Sequence, residues 1–259
     1  MYRERSLRGG SSSGRYAKRG TMRSPVGVLC SGGLDSAVLL VDLARQTGHV
    51  VPLFVRAGHP WEDAERAALG RFLEAVAEPR IAPVRELLMP MQDVYRGHWS
   101  VTGEGAPGWE APDEAVELRG RNLVLLAKAL VAAAIEGWPT VAMGSLAGNP
   151  FPDATPHFFA AIAATASEAL RVPLEVVAPY RALSKADVIR RAGDLPLELT
   201  LSCLRPTSDG RHCGDCNKCR ERAEAFAAAS IPDRTIYARH DRATDQSAFV
   251  GGPPPGKGS

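Results

Sequence analysis

Val26-Gly-Val-Leu-Cys-Ser-Gly-Gly-Leu-Asp-Ser36 is the stretch on which the reading of this chain turns. The apolar run Val26 to Cys30 stops at Ser31-Gly32-Gly33, and Leu34-Asp35-Ser36 opens onto the apolar Ala37-Val38-Leu39-Leu40-Val41. That is the pattern of a strand, a tight loop and a buried helix. Two glycines let the backbone turn sharply and leave no Cβ in the way of an anion. The N–H groups of the loop and of the first helical turn then point into one small space, at the positive end of the helix dipole. Such a space suits a phosphate. Ser31 and Ser36 add hydroxyl donors, whereas Asp35 is wrong for phosphate but right for Mg²⁺ or a polarised water. No Gly-Lys-Ser/Thr follows at Walker spacing and Gly-x-Gly-x-x-Gly is absent, so neither of those nucleotide loops is present.

Outward from the loop, strands alternate with helices. Ser36 to Gln46 is predicted helical, and His49 to Val55 is a near-continuous apolar run, as in a parallel strand buried on both faces. A helix with Pro60 and acids in its first turn runs to about Ala77, and Ile81 to Leu88 is a third strand. Thr140 to Met143 and Leu174 to Ala178 supply a fourth and a fifth. This alternation predicts an α/β fold with a doubly wound, mostly parallel five-stranded sheet. The expected organisation is a basic disordered tail over 1–24, an α/β domain over 25–200, a four-cysteine subdomain over 201–238 and a disordered tail over 239–259. Met89 to Glu117, with its prolines, glycines, Trp99 and Trp109, breaks the rhythm. It reads as an active-site lid or as a packed Ω-loop.

Three further segments carry polar groups to the same side. Arg119-Gly120-Arg121-Asn122 precedes the apolar helix Leu123–Ile135, predicted buried, and its arginines can grip a phosphate or carboxylate bidentately. Ala147 to Pro156 follows the carboxyl end of strand four, where open α/β sheets bind ligands. There Asn149, Phe151 and Asp153 are candidates for holding a planar heterocycle. Lys185 opens a helix that Ser184 caps, against the dipole preference for acids; by itself it reads first as an ordinary solvated lysine, and otherwise as a cation serving an anion.

Cys203-x9-Cys213-x2-Cys216-x2-Cys219 is a metal pattern. Thiolates so closely spaced converge on one tetrahedral ion, usually Zn²⁺, with an iron–sulfur cluster as competitor. Four protein ligands make the site structural. Lys218, Arg220, Arg211 and His212 can offset the charge of a thiolate centre or face solvent.

Hydrophobic residues make up 45% of the chain and charged ones 23%, and no apolar run approaches the roughly 20 residues of a membrane span. No secretory h-region opens the chain, so a cytoplasmic location and no membrane partner are expected. The net charge of +2 hides an asymmetry: residues 1–24 carry seven Lys/Arg and one Glu, leaving 24 basic and 28 acidic residues elsewhere. A net acidic body argues against a stable nucleic-acid complex.

Ser-Gly-Gly-x-Asp-Ser after the first strand resembles the pyrophosphate loop of the N-type ATP pyrophosphatases. With Gly120-Arg121-Asn122, Gly144…Pro152-Asp153, Lys185-Ala186-Asp187 and the late cysteine cluster in that order, the chain resembles the 7-cyano-7-deazaguanine synthases from about Val26 to Ile236. The resemblance implies ATP, Mg²⁺ and one structural Zn²⁺, with a deazapurine carboxylate and ammonia as small-molecule partners and a homodimer as the assembly. It implies ATP over Cys30, Ser31, Gly32, Gly33, Leu34, Asp35 and Ser36, and catalytic roles for Asp35, Arg121 and Lys185. Arg121, Asn122, Phe151 and Asp153 would hold the acceptor, and Cys203, Cys213, Cys216 and Cys219 the zinc. The implied reaction adenylates 7-carboxy-7-deazaguanine and ends, through an amide, at the nitrile preQ0. The alternative is a paralogue adenylating another deazapurine, or a tRNA base for thiolation. Three features depart from the family pattern: Val116-Glu117-Leu118-Arg119 where an aromatic-Val-Pro approach is usual, Phe151-Pro152-Asp153-Ala154 where Tyr-Pro-Asp-Cys is frequent, and a gap from Cys203 to Cys213 that is one residue longer than in the family.

Overall fold

The computed structural model describes residues 25–239. The tail expected over 1–24, and that over 239–259 apart from its first residue, lie outside the described residues. Five strands form one parallel sheet in the order β3-β2-β1-β4-β5: β1 (Val26–Leu29), β2 (Val50–Arg56), β3 (Arg85–Leu88), β4 (Thr140–Ala142) and β5 (Glu175–Val177). This is the doubly wound α/β architecture the alternation implies. Val26 pairs with Val50 on one side and Thr140 on the other, so the strand order reverses at β1. The chain leaves β1 and β4 toward opposite faces, which opens a crevice at their carboxyl ends.

The period of two along β1 divides the core. Val26, Val28 and Cys30 pack with α1 (Leu34–Thr47), α7 (Lys185–Ala192) and α8 (Asn217–Ala229). Phe72 of α2 (Glu62–Val76) joins the same layer against Ala37 and Val41. Leu29 faces the other way, onto Leu126, Ala129 and Leu130 of α5 (Arg121–Glu136) and Phe159 of α6 (Pro156–Leu170).

Two expectations are corrected. The third strand pairs only over Arg85–Leu88, with a single bridge at Ile81, because Pro83 has no N–H for the ladder. The helix α5 is not buried all round: Leu123, Val131 and Ile135 form an exposed stripe, Ile135 being 78% accessible. Of the two readings of residues 89–117, the packed one fits the structure. These residues form α3 (Gln92–Tyr95), α4 (Trp99–Thr102) and a 3₁₀ turn at Asp113–Val116. Trp99 stacks on Trp61 with ring centroids 5.7 Å apart, and Trp109 packs beside the cysteine cluster. Among the described residues no helix is long and apolar enough to cross a membrane.

Candidate active site

The crevice is one cavity of about 440 Å³ above the carboxyl ends of β1, β2 and β4. The glycine loop lines it. Gly33 is the N-cap of α1, and Ser36 Oγ donates to its carbonyl (3.0 Å) while accepting from Ser31 N (3.4 Å). Ser31 Oγ accepts from Gly33 N (3.3 Å). Both hydroxyls therefore brace the loop. Cys30, Ser31, Gly33, Asp35 and Ser36 line the cavity. Leu34 turns its side chain into the core, and Gly32 backs onto α2 at a φ of +80°, where a Cβ would sit 2.3 Å from the Glu65 carbonyl oxygen.

Asp35 Oδ1 is buried with no hydrogen-bond partner, and Oδ2 lies 3.3 Å from Lys185 Nζ. Lys185 also contacts Glu221 Oε1 at 2.5 Å, and Lys218 Nζ contacts Glu221 Oε2 at 2.7 Å. Burial raises the Asp35 carboxyl, and Lys185 pulls it back only in part. Burial pushes the Lys185 ammonium down, but Asp35 and Glu221 outweigh it and hold the ammonium above its ordinary range. Burial likewise pushes Glu221 up, yet Lys185 and Lys218 hold it down at about 2. The result is a chain of ion-pair contacts Asp35–Lys185–Glu221–Lys218 beside the glycine loop.

The same cavity is lined by His59, Trp61, Glu65, Arg121 and Phe151. His59 is 7% exposed, stacks on Trp61 and holds the Ser100 carbonyl at 2.8 Å through Nδ1. That bond makes Nδ1 the donor and leaves Nε2, buried and unpartnered, as an acceptor. Burial, then Arg121, lowers the His59 pKa, which favours the neutral ring. Arg121 Nε is also buried without a partner. Burial pushes Glu65 up to about 8, with Arg121 opposing. Arg119 is exposed and offers its carbonyl to Tyr95 Oη, so Arg121 is the arginine that faces the cavity. Asn122 and Asp153 clasp each other: Asn122 N donates to Asp153 Oδ2 (2.9 Å) and its Nδ2 to Oδ1 (3.2 Å). That clasp fixes the 147–156 loop to the start of α5, with Phe151 at the cavity wall.

The four Sγ atoms of Cys203, Cys213, Cys216 and Cys219 lie within 4.8 Å of one another. Contacts of 3.5 Å (Cys216–Cys219), 3.8 Å (Cys213–Cys219) and 4.0 Å (Cys203–Cys216) bracket the edge of about 3.8 Å that a tetrahedron with ~2.3 Å Zn–S bonds requires. Backbone N–H groups of Leu204, Arg205, Cys213 and Asp215 point at the sulfurs, an arrangement that stabilises thiolate charge. The cluster fits a tetrahedral metal ion. The neighbouring basic groups are engaged elsewhere: Arg211 with Asp209, Arg220 with Asp113, and His212 Nε2 accepting from Ser202 N (3.0 Å).

A family model described as "Queuosine biosynthesis protein QueC" matches residues 26–230. The chain belongs to the QueC family. Curated relatives named 7-cyano-7-deazaguanine synthase agree: that of Thiobacillus denitrificans is 34% identical over 227 residues, covering 82% of this chain and 97% of the relative. That of Methanothrix thermoacetophila is 32% identical, covering 81% and 96%. That of Azoarcus sp. is 34% identical, covering 81% and 95%. Membership places the chain among enzymes of queuosine biosynthesis.

Within this QueC-family cavity, reading the sequence alone missed His59, Glu65, Lys218 and Glu221. Glu65 carries no distinguishing signal, being one of three acids in the first turn of α2. Glu221 had one: it stands two residues after Cys219, so a helix begun by the cysteine cluster fixes its direction.

Proposed function

We propose that this chain is an ATP-dependent 7-cyano-7-deazaguanine synthase. The observation that carries the reading is one cavity lined by the glycine loop, by the cations Lys185 and Lys218, and by Arg121 and His59, whose Nε and Nε2 are buried without partners. A nucleotide triphosphate suits the glycine loop with its two lysines. A planar base bearing a carboxylate suits Arg121 and His59, and about 440 Å³ is an ordinary volume for a small-molecule site.

In this reading the ATP phosphates lie over Ser31 to Ser36, and Asp35, with its unpartnered Oδ1, would hold Mg²⁺, which would supply charge to offset the phosphates. Arg121 orients the acceptor carboxylate, while Glu65 and His59 Nε2 accept from ring N–H donors and Phe151 packs on the ring plane. A carboxylate oxygen attacks the α-phosphorus, the bond to the β-phosphate oxygen breaks, and pyrophosphate leaves. Ammonia attacks the acyl carbon; AMP departs with the carboxylate oxygen and the nitrogen gives up one proton, leaving an amide. A second ATP adenylates the amide oxygen, and loss of AMP and the two N–H protons forms the nitrile. These steps ask for charge stabilisation and exclusion of water, which the stacked Trp61 and Trp99 wall favours. They ask for no protein nucleophile. Burial pushes the Cys30 thiol far above its ordinary range, and the other four cysteines are gathered at the metal centre, which speaks against thiol-transfer chemistry.

The occupant of the cysteine cluster is Zn²⁺ on this account, since a four-iron cube would set its thiolates further apart than the 4.8 Å found. The test is release of AMP and pyrophosphate. Both should require 7-carboxy-7-deazaguanine and vanish in folded Asp35→Asn. Equal release without any acceptor would overturn the reading.

A further inference from the structure

Two chain connections join the metal centre to the phosphate loop. The first is next to Cys203: Leu201 N donates to the Gly32 carbonyl at 2.8 Å, and Ser202 lies against Gly33. The second is α8. Its N-cap is Cys216, and Cys219 sits in its first turn. Lys218 and Glu221 flank Cys219 on that helix, and both line the cavity. Glu221 bridges Lys218 (2.7 Å) and Lys185 (2.5 Å), and Lys185 reaches Asp35 of the loop (3.3 Å). A helix start is held in place by whatever fixes its first turn. Here that is a pair of thiolates on a common ion, so the direction in which Lys218 and Glu221 project depends on the ion being bound.

We infer that the metal centre is a positioning element of the nucleotide site: it aims Lys218 at the phosphates and, through Glu221, sets Lys185 against Asp35. The inference rests on the nucleotide reading of the Ser31–Ser36 loop. Lys218 is then a phosphate-contacting cation carried by the metal-bound helix, and Glu221 is a positioning residue acting through two lysines. Coupling of this kind is reciprocal. If the ion tightens nucleotide binding by some factor, nucleotide tightens ion binding by the same factor.

The experiment measures metal release from the full chain to a zinc-selective colorimetric chelator, with and without Mg²⁺ and a non-hydrolysable ATP analogue. Nucleotide affinity is measured in parallel by calorimetry. Native protein should bind the analogue and hold its metal about tenfold more tightly in its presence, within the range usual for coupled sites. Lys218→Met should keep one metal per chain and lose about tenfold in nucleotide affinity, a coupling of the same order. Glu221→Gln should keep one metal per chain, lose about tenfold in nucleotide affinity by the same reciprocity, and show little protection even at saturating analogue. That separates coupling from general stabilisation by a bound ligand. Native protein that binds the analogue but releases metal equally fast with and without it would overturn the inference and leave the nucleotide reading standing. So would variants that keep native affinity and native protection. Native protein that binds no analogue would overturn both.

Discussion

Replacing Gly32 by alanine should damage this protein far more than the same change one residue later. Gly32 has a φ of +80°, and a Cβ there would sit 2.3 Å from the Glu65 backbone oxygen, 3.1 Å from its carbonyl carbon and 3.4 Å from Leu69 N. The left-handed conformation costs an L-residue ~1–2 kcal/mol. Forcing a methyl against backbone that cannot rotate away adds about 1–3 kcal/mol. The sum, roughly 2–5 kcal/mol, is a large part of the ~5–15 kcal/mol that holds a domain folded. For a chain of this size it lowers Tm by roughly 4–20 °C. Gly33, at φ −76°, needs no such freedom, and its Cβ would meet the rotatable Ser31 Oγ at 3.2 Å. Gly33→Ala should therefore cost under about 1 kcal/mol. Urea melts of the three proteins give the stability difference, and calorimetry with an ATP analogue shows whether the loop keeps its shape. Gly32→Ala with native stability and native nucleotide affinity would refute the argument from backbone contact. Equal damage from both changes would show that any methyl in the loop is harmful.

Arg222→Met should destabilise by about 3 kcal/mol in urea melts, because it strands three buried acceptors. Arg222, fully buried, donates to Leu197 O (2.7 Å), Thr235 Oγ1 (2.8 Å) and Thr200 Oγ1 (3.0 Å); a loss under about 1 kcal/mol would contradict that role. Glu65 has a folded-state pKa raised to about 8, so its ionisation costs stability as pH rises from its ordinary value of 4.5 through 8. Glu65→Gln should accordingly melt higher than the native protein above pH 8 and equally below pH 4.5, and a gap independent of pH would disprove the burial account. For Glu221 the sign is opposite: its folded value of about 2 contributes stability above pH 4.5 that disappears between pH 4.5 and 2, a loss that Glu221→Gln should not show in acid titrations followed by circular dichroism. Arg121→Lys keeps the charge but not the planar fork, so KM for the acceptor acid should rise about tenfold with KM for ATP little changed; a rise confined to ATP would move Arg121 to the phosphates.

The parts of the site written into neighbouring residues could be read before folding. Ser31 to Ser36 turns because of its own glycines, and four closely spaced cysteines can hardly avoid one another. Parts decided by tertiary packing could not. Glu62, Asp63 and Glu65 look alike in the first turn of α2, yet Glu62 accepts from the N–H groups of Ala57 and Gly58 (2.6 and 3.0 Å), Asp63 is 93% exposed and Glu65 faces the cavity. Only the packing of α2 against Gly32 separates them. Asn122 and Asp153 read as ligand donors and both line the cavity, but nothing in sequence shows that residues 31 apart also bond to each other. The apolar stripe of Leu123, Val131 and Ile135 misled for a simpler reason: composition measures how apolar a helix is and not which faces are covered.

The most direct test of the proposed activity is mass spectrometry of the products formed from Mg-ATP, 7-carboxy-7-deazaguanine and ¹⁵N-ammonium. The account predicts 7-cyano-7-deazaguanine carrying one ¹⁵N, with two AMP released for each nitrile. AMP without labelled nitrile, or nitrile without consumption of ATP, would contradict it.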